Sequence, residues 1–195
     1  MQDVIIIGSG IIGSSVAREL SRYDVSVLVL DKENDISNGT TKANSGIVHA
    51  GFDTEPGTLK AKFNVLGSEM FEELAKELDF PYKRNGALVI AFDEESKAKL
   101  EILYQKGLRN KVQGLEIISG EKAQKLVPNL SSKVKYALHA PTSAIVSPYE
   151  MAIAYAENAA VNGVKFRLNA RVVRLEETEK GIKVYLEDGD VLEAR

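Results

Sequence analysis

The chain has 195 residues, 44% of them hydrophobic, with 25 basic and 28 acidic side chains and a net charge of −3. That apolar content can bury the core of one domain or two small ones, which excludes a disordered tail, and the charge balance leaves no broad positive footprint for a nucleic acid. The absence of cysteine removes disulfides, thiolate metal sites and thiol nucleophiles, and leaves His49 and His139 as the only imidazoles.

Met1-Gln2-Asp3 carries neither the basic region nor the cleavage pattern of a secretory signal. No apolar run approaches the roughly twenty residues of a membrane span. A cytoplasmic location, free or peripheral at a membrane and without a transmembrane segment, is expected. V-I-I-I at residues 4–7 predicts a strand buried on both faces in a parallel sheet. Ile12, Val16 and Leu20, with Ala17 beside them, predict one apolar face of a helix. A second strand follows over residues 25–30, completing a βαβ unit with a right-handed crossover.

Between strand and helix, Gly8, Gly10 and Gly13 fit G-x-G-x-x-G. Gly8 permits the turn off the strand, Gly10 lets a pyrophosphate approach the backbone, and Gly13 lets the helix pack closely. The diphosphate then sits on the free N–H groups and positive end of the helix. Asp31, at the end of the second strand and about twenty residues on, is suited to accept hydrogen bonds from a ribose. The pattern serves NAD and FAD equally. Residues 34–51 read as a long donor-rich loop instead of a third βα unit, which suits a larger cofactor followed along its length.

Beyond Pro56, the spacing of Leu59, Phe63, Leu66, Met70, Leu74 and Leu78 predicts a helix. Asn85-Gly86 before A-L-V-I-A-F predicts a hairpin, followed by a charged helix from Asp93. A strand over 115–118, a helix from Ser119 and a strand over 134–138 come next. Ser147, Pro148 and Glu150 read as N-cap, N1 and N3 of a capping box on a helix that runs to Asn162-Gly163. Strands V-K-F-R-L, A-R-V-V-R-L-E, G-I-K-V-Y-L-E and D-G-D-V-L-E-A close the chain, the last two meeting at Asp188-Gly189. Arg195 falls inside an expected strand, which reads as a fragment of something longer. The serine pairs 14–15 and 131–132 lack a base in recognisable context, and His49 and His139 have no ligand spacing between them, so neither triad nor metal site is expected.

The fingerprint, together with T-T-K-A-N-S-G-I-V-H-A-G-F-D-T-E-P-G-T-L-K-A-K-F-N-V-L-G at residues 40–67, resembles the FAD-dependent oxidoreductases of the D-amino-acid oxidase superfamily. Within them it is most similar to the branch of L-2-hydroxyglutarate oxidases and bacterial glycerol-3-phosphate dehydrogenase-like proteins. The resemblance implies an α/β fold: a Rossmann-like FAD-binding domain, a parallel sheet with a β-meander, plus part of an inserted α+β substrate domain. The expected boundaries are 1–79 for the first part of the FAD domain, 80–146 for the insert and 147–195 for the resumed FAD domain. It also implies that Gly8, Gly10, Ile11, Ile12 and Gly13 face the pyrophosphate and that Asp31, where the family usually has Glu, holds the ribose with Lys32. Thr40, Thr41, Asn44, Ser45, Gly46 and Ile47 would follow the phosphates toward the isoalloxazine, and Val172 would meet the adenine.

The implied reaction moves a hydride from a substrate C–H to the flavin. The substrate is a small anion, glycerol 3-phosphate or an L-2-hydroxy acid such as L-2-hydroxyglutarate. The electron acceptor stays open between oxygen, a quinone and an iron–sulfur partner. His49 is the candidate to polarise or deprotonate the substrate hydroxyl, although it could equally bond the ring or its own loop. Arg84 could bind the anion, although solvated surface charge explains it as well. A nicotinamide-dependent dehydrogenase and a non-catalytic dinucleotide-binding module remain as alternatives.

Overall fold

Val4–Ile7 (β1) and Val27–Leu30 (β2) lie parallel, with Val4 opposite Val27 and Ile7 opposite Leu30, and Ile11–Leu20 (α1) makes the crossover between them. The computed structural model describes residues 1–195. After a 3₁₀ turn at Thr40–Lys42 come Ile47–Val48 (β3), Leu59–Leu78 (α2), Tyr82–Lys83 (β4), Ala87–Ala91 (β5) and Glu94–Arg109 (α3). Glu116–Ser119 (β6), Gly120–Leu126 (α4), Tyr136–Ala140 (β7), Ala144–Val146 (β8) and Pro148–Val161 (α5) follow. Lys165–Arg167 (β9), Val172–Thr178 (β10), Gly181–Leu186 (β11) and Val191–Ala194 (β12) complete the order.

The chain packs as two units, one of Met1–Ser45, Lys76–Pro81 and Ser147–Arg195, the other of Gly46–Ala75 and Tyr82–Val146. In the first, β2 is the centre of a three-stranded parallel sheet between β1 and β9. Ala17 of α1 and Ala159 of α5 are fully buried with Val27, Val29 and Val164, small side chains that bring both helices close to the sheet. A second cluster joins Leu30 of β2 and Ala170 to Val184 and Leu186 of the antiparallel meander β10-β11-β12.

Burial departs from the sequence pattern in two places here. Ile7 is 54% exposed at the end of β1, so that strand is not buried on both faces. On α1, Ile12 and Val16 face solvent while Ser14, Ala17 and Arg18 are buried. Arg18 is tolerated inside because it ion-pairs with Glu77 and stacks on the Tyr155 ring at 5.5 Å. The capping box at α5 is also absent. Ser147 makes no side-chain cap bond, and its N–H donates to Pro81 O at 3.1 Å, so it is not offered to Glu150.

The second unit contains two antiparallel sheets, β3-β8-β4 and β5-β7-β6, with α3 and α4 against the latter. Leu100, Leu115, Leu138, Phe52 and Ala91 fill its core. Asn85-Gly86 does not close a hairpin. The strand before it, β4, pairs with β8, and the one after it, β5, pairs with β7; the Gly86 N–H donates to Ser143 O at 2.9 Å. The dipeptide passes the chain from one sheet to the next. At α3 a capping box does form, with Asp93 accepting from the Ser96 N–H at 2.8 Å and Ser96 Oγ accepting from the Asp93 N–H at 3.2 Å. On α2, of the six apolar residues that predicted the helix, Leu59, Phe63, Leu66 and Met70 are exposed and Leu74 and Leu78 half-buried, while Ala61 and Ser68 are the buried positions.

Candidate functional site: a cavity beside the glycine turn

Gly8 sits at φ +103°, a left-handed conformation that side chains resist, and its N–H donates to Leu30 O at 2.7 Å, tying the turn to the end of β2. A Cβ at Gly13 would stand 1.9 Å from Gly8 O, so the helix reaches the turn this closely only as glycine. Both roles expected from the spacing are therefore present as geometry. Asp31 lies directly across, at the mouth of β2. Its Oδ2 accepts from both the N–H and the Oγ of Ser9 at 2.6 Å, and its Oδ1 accepts from the Glu33 N–H at 2.9 Å. Burial pushes this carboxyl up, but the bonds from the Ser9 hydroxyl and from the Glu33 and Ser9 amides, with Lys32 nearby, outweigh burial and hold it below the usual carboxylate range.

Gly8, Asp31, Lys32 and Glu33 help wall a cavity of about 380 Å³ within the first unit, a volume in the range of small-ligand sites. Of the predicted residues, Gly8, Gly10, Asp31, Lys32, Thr40, Thr41 and Val172 line it. Ile11 contributes its N–H, donated to Thr41 Oγ1 at 3.1 Å; that amide is one of the helix-start donors with no partner inside α1. A Cβ at Gly10 would come within 3.1 Å of the same hydroxyl, so the glycine keeps this corner open. The Ile12 side chain is exposed, and Gly13 lies beneath the turn.

Asn44 braces the loop, its Nδ2 donating to Thr40 O at 3.2 Å and Thr41 O at 2.8 Å. Ser45 is exposed. Gly46, Ile47 and His49 belong to the second unit: Gly46 O accepts the Val146 N–H at 2.8 Å, Ile47 pairs with Ile145, and His49 is exposed just past β3. Arg84, also there, ion-pairs with Glu72 at 3.6 Å and donates to Tyr82 Oη at 3.3 Å.

Ser9 and Ser37 escaped the sequence. Ser37 lines the cavity at 1% exposure and φ 63°, and its Oγ has no hydrogen-bond partner. A buried hydroxyl left unsatisfied in a strained backbone costs free energy unless a ligand supplies the partner. Open glycines, helix-start amides, an acidic acceptor and an orphaned donor together suit an ADP moiety. The only sequence sign of Ser37 was its membership of the donor-rich loop.

The family model described as FAD dependent oxidoreductase, DAO, matches residues 3–195. The chain belongs to this FAD-dependent oxidoreductase family. It is 50% identical over 184 residues to a glycerol 3-phosphate dehydrogenase of Caloramator mitchellensis, covering 94% of this chain and 38% of that protein. It is 36% identical over 155 residues to the mitochondrial L-2-hydroxyglutarate dehydrogenase of Arabidopsis thaliana, covering 80% and 32%. Among solved structures of this FAD-dependent family, the dithionite-reduced L-α-glycerophosphate oxidase of Mycoplasma pneumoniae with FAD bound superposes with a TM-score of 0.89 at 30% identity. That match covers 96% of this chain and 50% of the other. The chain thus spans half or less of the length of these relatives. As a member of this family it has the mixed α/β fold with a parallel sheet that such proteins share. No helix is long and apolar enough to cross a membrane.

Proposed function

We propose that the cavity of the first unit seats the ADP half of FAD and that the protein oxidises the CH–OH group of a small anionic substrate, glycerol 3-phosphate or L-2-hydroxyglutarate. One observation carries the proposal: the Gly8–Gly10 turn, the Asp31 carboxylate and the unpartnered Ser37 hydroxyl converge on one cavity. The relatives named for those two substrates support the choice. A nicotinamide domain fits worse, because after Asp31 the chain passes through the Thr40–Lys42 turn into β3 and forms no third βα unit.

In this scheme the glycine turn from Gly8 to Gly13 and the hydroxyls of Thr40 and Thr41 hold the diphosphate, the Ile11 N–H fixing the Thr41 hydroxyl, while Asp31 and Lys32 hold the ribose and Val172 the adenine. Asn44 keeps the loop in shape, and Ser45 continues along the cofactor. FAD, when bound, supplies the acceptor for the substrate hydride. His49 takes the hydroxyl proton as the C–H bond breaks, which lets the oxygen become a carbonyl. The acceptor of the electrons belongs to the same proposal, as oxygen, a quinone or an iron–sulfur partner, and so does a cytoplasmic or membrane-peripheral location.

The test is anaerobic spectroscopy of the flavin-loaded protein with each substrate added in turn. Glycerol 3-phosphate or L-2-hydroxyglutarate should bleach the flavin band. Bleaching by NADH alone would contradict the assignment, and bound flavin that no hydroxy acid reduces would make the protein a non-catalytic dinucleotide module.

A further inference from the structure

We propose that Ser9 is a positioning residue for the adenosine ribose: its amide and hydroxyl occupy Asp31 Oδ2, so that Asp31 can grip only one ribose hydroxyl, through Oδ1. The inference rests on the cavity being an ADP site. A carboxylate offers about four lone-pair positions. Three are taken here, two by Ser9 at 2.6 Å and one by the Glu33 N–H at 2.9 Å. The Ser9 contacts are as short as charge-assisted bonds become, and Ser9 is fully buried, so no water competes for its hydroxyl.

Ser9 is itself fixed. Its carbonyl accepts from Ser14 Oγ at 3.1 Å and from the Ser37 N–H at 3.3 Å, which joins the glycine turn to the loop on the far side of the cavity. An aspartate reaches one methylene less far than a glutamate, so a carboxylate free to swing would seldom meet the sugar. The serine removes that freedom in advance and presents Oδ1 in one place. The same contact helps keep Asp31 ionised, as an acceptor must be.

The experiment is calorimetric titration of the chain with ADP, 2′-deoxy-ADP and 3′-deoxy-ADP, in wild type, Ser9→Ala, Asp31→Ala and the double variant. Wild type should lose about tenfold in affinity for one deoxy analogue and under about twofold for the other. Ser9→Ala should weaken ADP binding about tenfold, narrow the difference between the analogues, and move the acid loss of binding to higher pH. In the Asp31→Ala background the serine change should have no further effect. Equal losses for both analogues in wild type would overturn the single-point grip without any variant having to fold. A Ser9→Ala effect that persists without Asp31, or no effect at all, would reduce Ser9 to a packing residue. If wild type binds no ADP, the assignment of the cavity falls first and Ser9 with it.

Discussion

Asp31 and Ser37 hold opposite balances in the same cavity. Asp31 is over-supplied with donors, which holds its carboxyl below the usual range; its contribution to stability is therefore present above the ordinary carboxylate pKa and is lost as pH falls through the lower folded value. Asp31→Asn should flatten that part of the acid dependence of the unfolding temperature, and superimposable profiles for the two proteins would show that the carboxylate has no such role. Ser37 is under-supplied, with a left-handed φ of 63° and an unpaired buried hydroxyl. Ser37→Gly should stabilise the ligand-free chain by about 1 kcal/mol in denaturant melts while weakening FAD binding. A destabilised variant would mean that the hydroxyl already has a role in the fold. Asp31 was legible in the sequence because it ends a strand at a set distance from the glycines. Ser9 and Ser37 were not, because a serine in a turn or loop looks the same whether its hydroxyl meets water, a carboxylate or nothing.

At the scale of elements, the two helix starts make a matched comparison. Asp93 caps α3 with a side-chain bond to the Ser96 amide, so Asp93→Ala should cost about 1 kcal/mol of stability. Ser147→Ala at α5 should cost almost nothing, because that serine makes no cap bond and Pro148 already sets the first turn. Chemical denaturation of both variants measures the contrast, and equal losses would refute it. The capping pattern at Ser147 was correct as composition and wrong as geometry, because the Pro81 carbonyl claimed the amide that a capping box needs. On α2 periodicity identified the helix but not which side is covered: Phe63 and Met70 are 60% and 55% exposed. Phe63→Lys should therefore leave the unfolding temperature within a degree or two, and a larger drop would mean that the ring packs into the fold.

For the whole molecule, the readable part was the contiguous part. The βαβ unit and the closing meander follow from local periodicity and turn residues, since neighbouring strands there are neighbours in sequence. Pairings such as Ile47 with Ile145 and Leu28 with Lys165 join segments far apart along the chain, and nothing in either segment alone names its partner. Leu30, fully buried at the end of β2 beside Asp31, links the core to the site. Leu30→Ala should cost about 3 kcal/mol and loosen cofactor binding with it. Titration of the chain with FAD, ADP and FMN asks whether the first unit recognises the ADP half of a flavin dinucleotide. FAD should bind with a change in flavin fluorescence, ADP should displace it, and FMN, which lacks the adenosine, should bind far more weakly. Equal affinity for FMN and FAD, or a bound FAD that ADP cannot displace, would mean that the first unit does not recognise the ADP half.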